Sequence, residues 1–143
     1  MKILRYLILT PIFLLGCSAM ILYKGDVPTD VVDARYTSPD SQFSELGDLG
    51  RVHYRDEGRR QAPPIILLHG SNASLHTFEP WVTRLNDKFR VVTIDLPGHG
   101  LTGEVPSGDY SNEAMVAVVN ELANNLGLEH FVIGGNSMGG SIA

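Results

Sequence analysis

The sequence predicts an α/β fold, a mostly parallel sheet flanked by helices, on three observations. Short strand-like runs recur at residues 65–68, continuously apolar, and at 90–95 and 130–134, as expected of strands covered on both faces. Segments with helical periodicity separate them. Each run ends in a polar loop, so three such loops fall at one edge of the sheet. Alternating strands and helices imply right-handed crossovers, and functional loops in such sheets lie at the carboxyl ends of the strands.

The elements follow in order. Residues 42–46 and 51–56 are strand-like runs around Gly47-Asp48-Leu49-Gly50 and predict a hairpin. Pro63-Pro64 punctuates the chain before the first buried strand. Residues 78–88 predict a helix, with Phe78, Trp81, Val82 and Leu85 at spacings of three and four and Phe78 and Trp81 read as core contacts. The strand at 90–95 leads into Pro97-Gly98-His99-Gly100. A helix is expected over 112–126, capped by Ser111 and stopped by Gly127, with Val119, Leu122, Ala123 and Leu126 as its apolar stripe. The strand at 130–134 closes the series. The polar loops are then His69-Gly70-Ser71-Asn72, Pro97-Gly98-His99-Gly100 and Asn136-Ser137.

Composition sets the outer bounds. With 43% hydrophobic and 19% charged residues in 143, the chain can bury a real core. The net charge is −5, and Arg51, Arg55, Arg59 and Arg60 are scattered through a hairpin and loop. They read as a solvated face, not as a nucleic-acid surface. A single cysteine, Cys17, excludes an internal disulfide, and no Cys/His cluster has metal-ligand spacing.

The N-terminus is different in kind. Lys2 and Arg5 precede residues 6–23, which carry no charge. As a helix, that segment would span about 27 Å, close to a hydrocarbon core of about 30 Å. Positive charge ahead of it places the N-terminus in the cytoplasm and the rest beyond the membrane. Residues 1–23 are thus expected to be a signal anchor, or else a lipoprotein-type signal, because Leu14-Leu15-Gly16-Cys17 resembles a lipobox lipidated at Cys17. The apolar continuation Ala19-Met20-Ile21-Leu22-Tyr23 favours the anchor. A cleaved secretory peptide ranks last. Residues 24–40, polar and holding Pro28 and Pro39, read as a tether, and 41–143 as the folded domain.

The chemistry is concentrated at Gly135-Asn136-Ser137-Met138-Gly139, a G-x-S-x-G pattern directly after an apolar strand. By composition alone, about one chain in twenty of this length would match. Position makes the match specific. A nucleophile on a sharp strand-to-helix turn sits in strained backbone, and flanking glycines remove side chains that would collide there. The turn also sets the serine beside a helix N-terminus, whose free N–H groups suit developing negative charge.

Leu67-Leu68-His69-Gly70, Asp95-Leu96-Pro97-Gly98-His99-Gly100 and Gly135-Asn136-Ser137-Met138-Gly139-Gly140 together resemble the α/β-hydrolase fold family in order and spacing, over residues 42–143. The resemblance implies a serine hydrolase without a cofactor, acting on a small-molecule carboxylic ester. Ser137 would be the nucleophile, and the backbone N–H groups of Met138 and Ser71 the oxyanion hole. In the family's order, serine then acid then histidine, both partners would follow Ser137 beyond residue 143. The domain is accordingly expected to be the N-terminal half of the fold, inactive by itself. An apolar strand at 130–134 would then be open at one edge.

His69 is assigned to shaping the oxyanion loop, His99 to a turn at the pocket's edge, and Asp95 to loop hydrogen bonds. The Asn72-Ala73-Ser74 sequon is read as incidental. Dehalogenases and epoxide hydrolases of the family place an aspartate where Ser137 stands, so neither activity is expected. The Gly-Asn-Ser-Met-Gly-Gly elbow is also similar to that of carbon–carbon bond hydrolases, and Ser71-Asn72-Ala73-Ser74 departs from their glycine-rich stretch. That activity, a cofactor-free peroxidase, and a non-catalytic binding protein of the same fold are the alternatives.

Overall fold

Strands rich in Ile, Val and Leu need cover on both faces, and their order in the sheet provides it. The computed structural model describes Ser18, Leu22, Tyr23 and residues 25–143. Its strands are β1 (Ser41–Glu45), β2 (Arg51–Gly58), β3 (Pro64–Leu68), β4 (Arg90–Ile94) and β5 (Val132–Gly135). They lie in the order β1-β2-β4-β3-β5. β4, β3 and β5 run parallel, and β1 and β2 join antiparallel at one edge. β3 is central to the parallel part, so the chain leaves it toward β4 and returns past it to β5. The helices are α1 (Thr29–Tyr36), α2 (Glu79–Leu85), α3 (Asn112–Asn125) and α4 (Met138–Ile142).

Alternate residues of each strand face opposite helices, which follows from the period of two in side-chain direction. Ile66, Leu68, Val92 and Ile94 pack with Met115, Val118, Val119 and Leu122 of α3. Leu67 and Val91 pack with Phe78 and Val82 on the α2 side. Each of these side chains contributes about 1.5–3 kcal/mol by leaving water. Ser111 caps α3 by accepting the Ala114 N–H at 3.2 Å, and Gly127 at φ 67° follows its end.

Local chemistry moves several boundaries. The helix expected over 78–88 begins as a 3₁₀ turn at Leu75–Phe78 and is α-helical only over Glu79–Leu85, with Pro80 in its first turn. Proline suits that position because its missing N–H is one the helix would leave free anyway. Phe78 is buried as expected. Trp81 is not: it is 58% exposed, with only its ring edge against Phe78 at 6.4 Å. Phe78 and Val82 take the sheet-facing positions, which turns Trp81 to the flank.

The last strand starts two residues later than expected, and β5 has β3 on one side and no strand on the other among the described residues. Val132 is 61% exposed there. The segment read as a tether holds helix α1, docked through Asp33, whose carboxylate meets the Arg51 guanidinium at 2.7 Å. The proposed anchor and the lipobox cysteine lie outside the described residues, save Ser18, Leu22 and Tyr23. No helix among the described residues is long and apolar enough to cross a membrane.

Candidate active site

β3 and β5 are neighbours, and the elements after them diverge. The helix after β3 packs on the α2 face, and Ile142 of α4, after β5, joins the α3 side of the core. In open α/β sheets, ligand sites lie where two such connections part, at the carboxyl ends of the strands.

The Asn136 N–H donates to the Leu68 carbonyl at 3.0 Å, which ties the elbow to the end of β3. Ser137 then takes φ 53° and ψ −116°. Non-glycine residues enter that region only when the surroundings force them. Close packing supplies the force. A Cβ on Gly135 would strike the Gly139 backbone, and one on Gly139 would strike the carbonyls of Leu68 and His69. Only hydrogen fits at either position, so α4 starts against the end of β3. The N–H groups of Gly140 and Ser141 donate to the Ser137 carbonyl at 2.9 and 3.2 Å. Met138 opens the helix, where an N–H has no intrahelical acceptor.

Gly70 backs this turn: a Cβ on it would lie 3.2 Å from Ser137 Cβ. The next residue, Ser71, donates its hydroxyl to the Met138 sulfur at 3.5 Å. The two residues expected to supply the oxyanion N–H groups are therefore in side-chain contact. Asn72, at φ 54°, completes the turn in a conformation asparagine tolerates.

His69 is committed elsewhere. It is fully buried; its Nδ1–H donates to the Gly70 carbonyl at 2.8 Å and its Nε2 accepts the Leu96 N–H at 3.0 Å. Both ring nitrogens bridge the loops after β3 and β4. Burial, chiefly, holds the ring's pKa below the ordinary histidine value. A general base needs a free nitrogen facing the nucleophile, and His69 has none. His99 turns its Nδ1 to the Pro97 carbonyl at 2.9 Å and lies beside the His69 ring, at the edge of the loop.

Asp95 organises this edge. Its Oδ1 accepts the Leu75 N–H at 2.8 Å, and its Oδ2 accepts the Leu101 N–H at 2.9 Å and His53 Nδ1–H at 2.7 Å. Burial works to raise the carboxyl's pKa, but these hydrogen bonds prevail and hold it below the ordinary aspartate value. His53 reaches on through Nε2 to Ser41 Oγ at 2.8 Å. Thr102 closes the cluster, accepting the His53 backbone N–H and donating to the Asp95 carbonyl. Reasoning from sequence missed Ser41, His53 and Thr102. His53 sits inside an ordinary strand pattern 42 residues from its partner, and no local signal marks it.

The arrangement brings the Ser137 turn and the Ser71 loop into contact at the ends of β5 and β3. Among the described residues, no His/Cys/Asp/Glu group is assembled to hold a metal ion.

The sequence profile of the alpha/beta hydrolase fold family matches residues 63–143. Haloalkane dehalogenase 2 of Mycobacterium bovis is 38% identical over 95 residues, covering 66% of this chain and 32% of its own length. A serine hydrolase-like protein of Danio rerio is 38% identical over 104 residues, covering 72% of this chain and 32% of that one. Among solved structures, the enol-lactonase from Burkholderia xenovorans LB400 superposes with a TM-score of 0.65 at 32% identity, over 71% of this chain and 39% of that one. The chain thus spans about one third of the length of the curated relatives it matches. With a central parallel sheet, a glycine-flanked serine turn and this profile match in agreement, the chain belongs to the α/β-hydrolase fold family.

Proposed function

We propose that this chain carries the nucleophile and oxyanion hole of a serine hydrolase that cleaves small-molecule carboxylic esters by acyl transfer. Ser137 attacks the carbonyl, and the backbone N–H groups of Met138 and Ser71 receive the charge that develops on its oxygen. One observation carries the reading: Ser137 is held at φ 53° between two glycines that admit no Cβ, at a helix start that touches Ser71. Such strain persists only where the surroundings over-determine it, and it clusters at active sites.

The nucleophile favours a carbonyl substrate. Serine attack on an ester gives an acyl-enzyme that water reopens at the same carbonyl. Attack on an alkyl halide would leave a serine ether, which has no carbonyl for water to attack. Similarity to a haloalkane dehalogenase is therefore read as shared fold, and similarity to an enol-lactonase, named for a lactone, agrees with ester chemistry. The acid and histidine that activate Ser137 are placed after residue 143, in the family's order. Both ring nitrogens of His53 and of His69 are held by other partners, which agrees with that placement. Residues 1–23 are proposed to anchor the domain on the far side of the membrane from the cytoplasm, with lipidation at Cys17 as the other means of attachment.

The test is hydrolysis of p-nitrophenyl esters by the full-length protein beside Ser137→Ala. A loss of at least about 10³-fold supports the nucleophile. Wild-type rates in the variant would overturn it. An ester-inactive wild type that still binds the ester points to a binding protein of this fold, and one that cleaves a carbon–carbon bond next to a carbonyl to the second enzymatic reading, which the Gly-Asn-Ser-Met-Gly-Gly elbow favours.

A further inference from the structure

Away from the elbow, a cavity of about 420 Å³ lies between helix α1 and the loops after β3 and β4. Its walls include Val32 and Tyr36 from α1, Ser74 and His76 from the first loop, and Asp95 and Leu101 from the second. None of the described lining residues is Ser137, Met138 or Ser71. At about 30 Å³ for each water-sized group, it has room for on the order of a dozen heavy atoms. It falls in the usual range for small-molecule sites.

The polar groups at this cavity are not equivalent. Arg55 Nη2 lies 3.1 Å from His76 Nε2. A guanidinium only donates, so Nε2 is the acceptor and the ring proton is on Nδ1. That Nδ1–H then donates to Ser74 Oγ, 3.0 Å away. The Ser74 oxygen thus accepts from His76, and its own proton is left to donate. Asp95 offers the opposite condition: its carboxylate already accepts from Leu75, Leu101 and His53. Its negative charge opposes any anion brought beside it. Apolar walls, one hydroxyl free to donate and a neighbouring carboxylate together favour a neutral ligand.

We propose that this cavity binds a neutral, mainly apolar small molecule with a single acceptor oxygen, such as a medium-chain ketone, which accepts from the Ser74 hydroxyl and is roofed by helix α1. The inference does not depend on the function proposed for Ser137. An occupant touches Val32 and Tyr36 on one side and Leu101 on the other, so its binding fastens the segment leading from the N-terminus onto the loops at the strand ends.

The test is photo-crosslinking of the full chain with a nine-carbon methyl ketone bearing an aliphatic diazirine, read by peptide mass spectrometry. Label is expected on the peptides that hold residues 29–36 and 96–103. 2-Nonanone should compete and nonanoate should not. Ser74→Ala should weaken competition by 2-nonanone about tenfold. Leu101→Trp and Val32→Phe, which fill the space from different elements, should each abolish the label; Val32 lies on the helix surface, so its variant retains the core. Label elsewhere, equal competition by nonanoate, or full label in both filled variants would overturn the proposal. Ser137→Ala should leave the label unchanged, and its loss there would assign the cavity to the nucleophile's pocket instead.

Discussion

His53 donates its Nδ1–H to Asp95 Oδ2 at 2.7 Å, with both side chains wholly out of solvent. Through that carboxylate, β2 is joined to the loop after β3 at Leu75 and to the loop after β4 at Leu101. The loop after β3 is therefore braced from its far end by a pair that touches neither Ser137 nor Ser71.

Removing one partner of a buried pair leaves the others unsatisfied and costs about 3–5 kcal/mol. Asp95→Ala should lower the urea midpoint by that free energy with an unchanged m-value. Asp95→Asn keeps one acceptor oxygen and should cost less, about 2 kcal/mol, since each lost buried hydrogen bond costs about 1–3. A fall of under about 0.5 kcal/mol for Asp95→Ala would show that the brace adds nothing.

Acid should weaken the fold in two windows. His69 is buried as the neutral ring, with a folded pKa below the ordinary 6.5. Its contribution is complete above 6.5 and declines as the pH falls below that value toward the folded one, because only the unfolded chain then takes up the proton. Asp95 also has a depressed pKa, below the ordinary 3.8. Its contribution persists to lower pH and fades as the pH falls through the folded value. An NMR titration should find the His69 ring taking up its proton below 6.5, and urea midpoints should begin to fall as the pH drops below 6.5. A His69 ring that titrates at or above 6.5 is the contrary result.

Strain at Ser137 should be recoverable as stability. Positive-φ strain is worth about 1–3 kcal/mol, and glycine returns about 0.5–1 of that through its freer unfolded chain. Ser137→Gly should therefore stabilise the protein by about 1 kcal/mol while removing the proposed nucleophile. Gly139→Ala should destabilise by more than about 2 kcal/mol, because its Cβ meets the Leu68 and His69 carbonyls, which are fixed backbone. Thermal melts of both variants beside wild type decide the matter.

Helix α1 is held by a partly exposed ion pair between Asp33 and Arg51, whose guanidinium lies 3.7 Å from the centre of the Phe43 ring. Solvent screening limits such a pair to about 0.5–1 kcal/mol. Arg51→Ala should leave the global unfolding midpoint nearly unchanged while speeding hydrogen exchange over residues 29–36 several-fold. Unchanged exchange there would show that other contacts dock the helix.

The parallel strands were legible because runs such as Ile65-Ile66-Leu67-Leu68 and Arg90-Val91-Val92-Thr93-Ile94 declare burial on both faces whatever they pack against. The Ser111 cap and Gly127 stop of α3 were legible because caps are local chemistry. The edges were harder. Trp81 obeyed the helical spacing but lost its core position to Phe78 and Val82. Helix α1 lacks an apolar stripe, and it docks through a charge on Arg51 that lies far along the chain.

For the candidate site, the sequence by itself determined the serine turn, because the strain at Ser137 and the approach of Gly135 to Gly139 arise among consecutive residues, whereas the approach of Gly139 to the Leu68 and His69 carbonyls came only with the fold. It also placed Ser71 and Met138 at the ends of strands that turn out to be adjacent. Only the tertiary structure decided that Ser71 touches Met138, that both nitrogens of His69 are bound, and that His53, Ser41 and Thr102 gather on Asp95. Those facts depend on strand order and register, which bring residues as far as 67 positions apart within hydrogen-bond distance. A hydrogen bond is decided by tenths of an ångström, and no spacing along the chain carries that information.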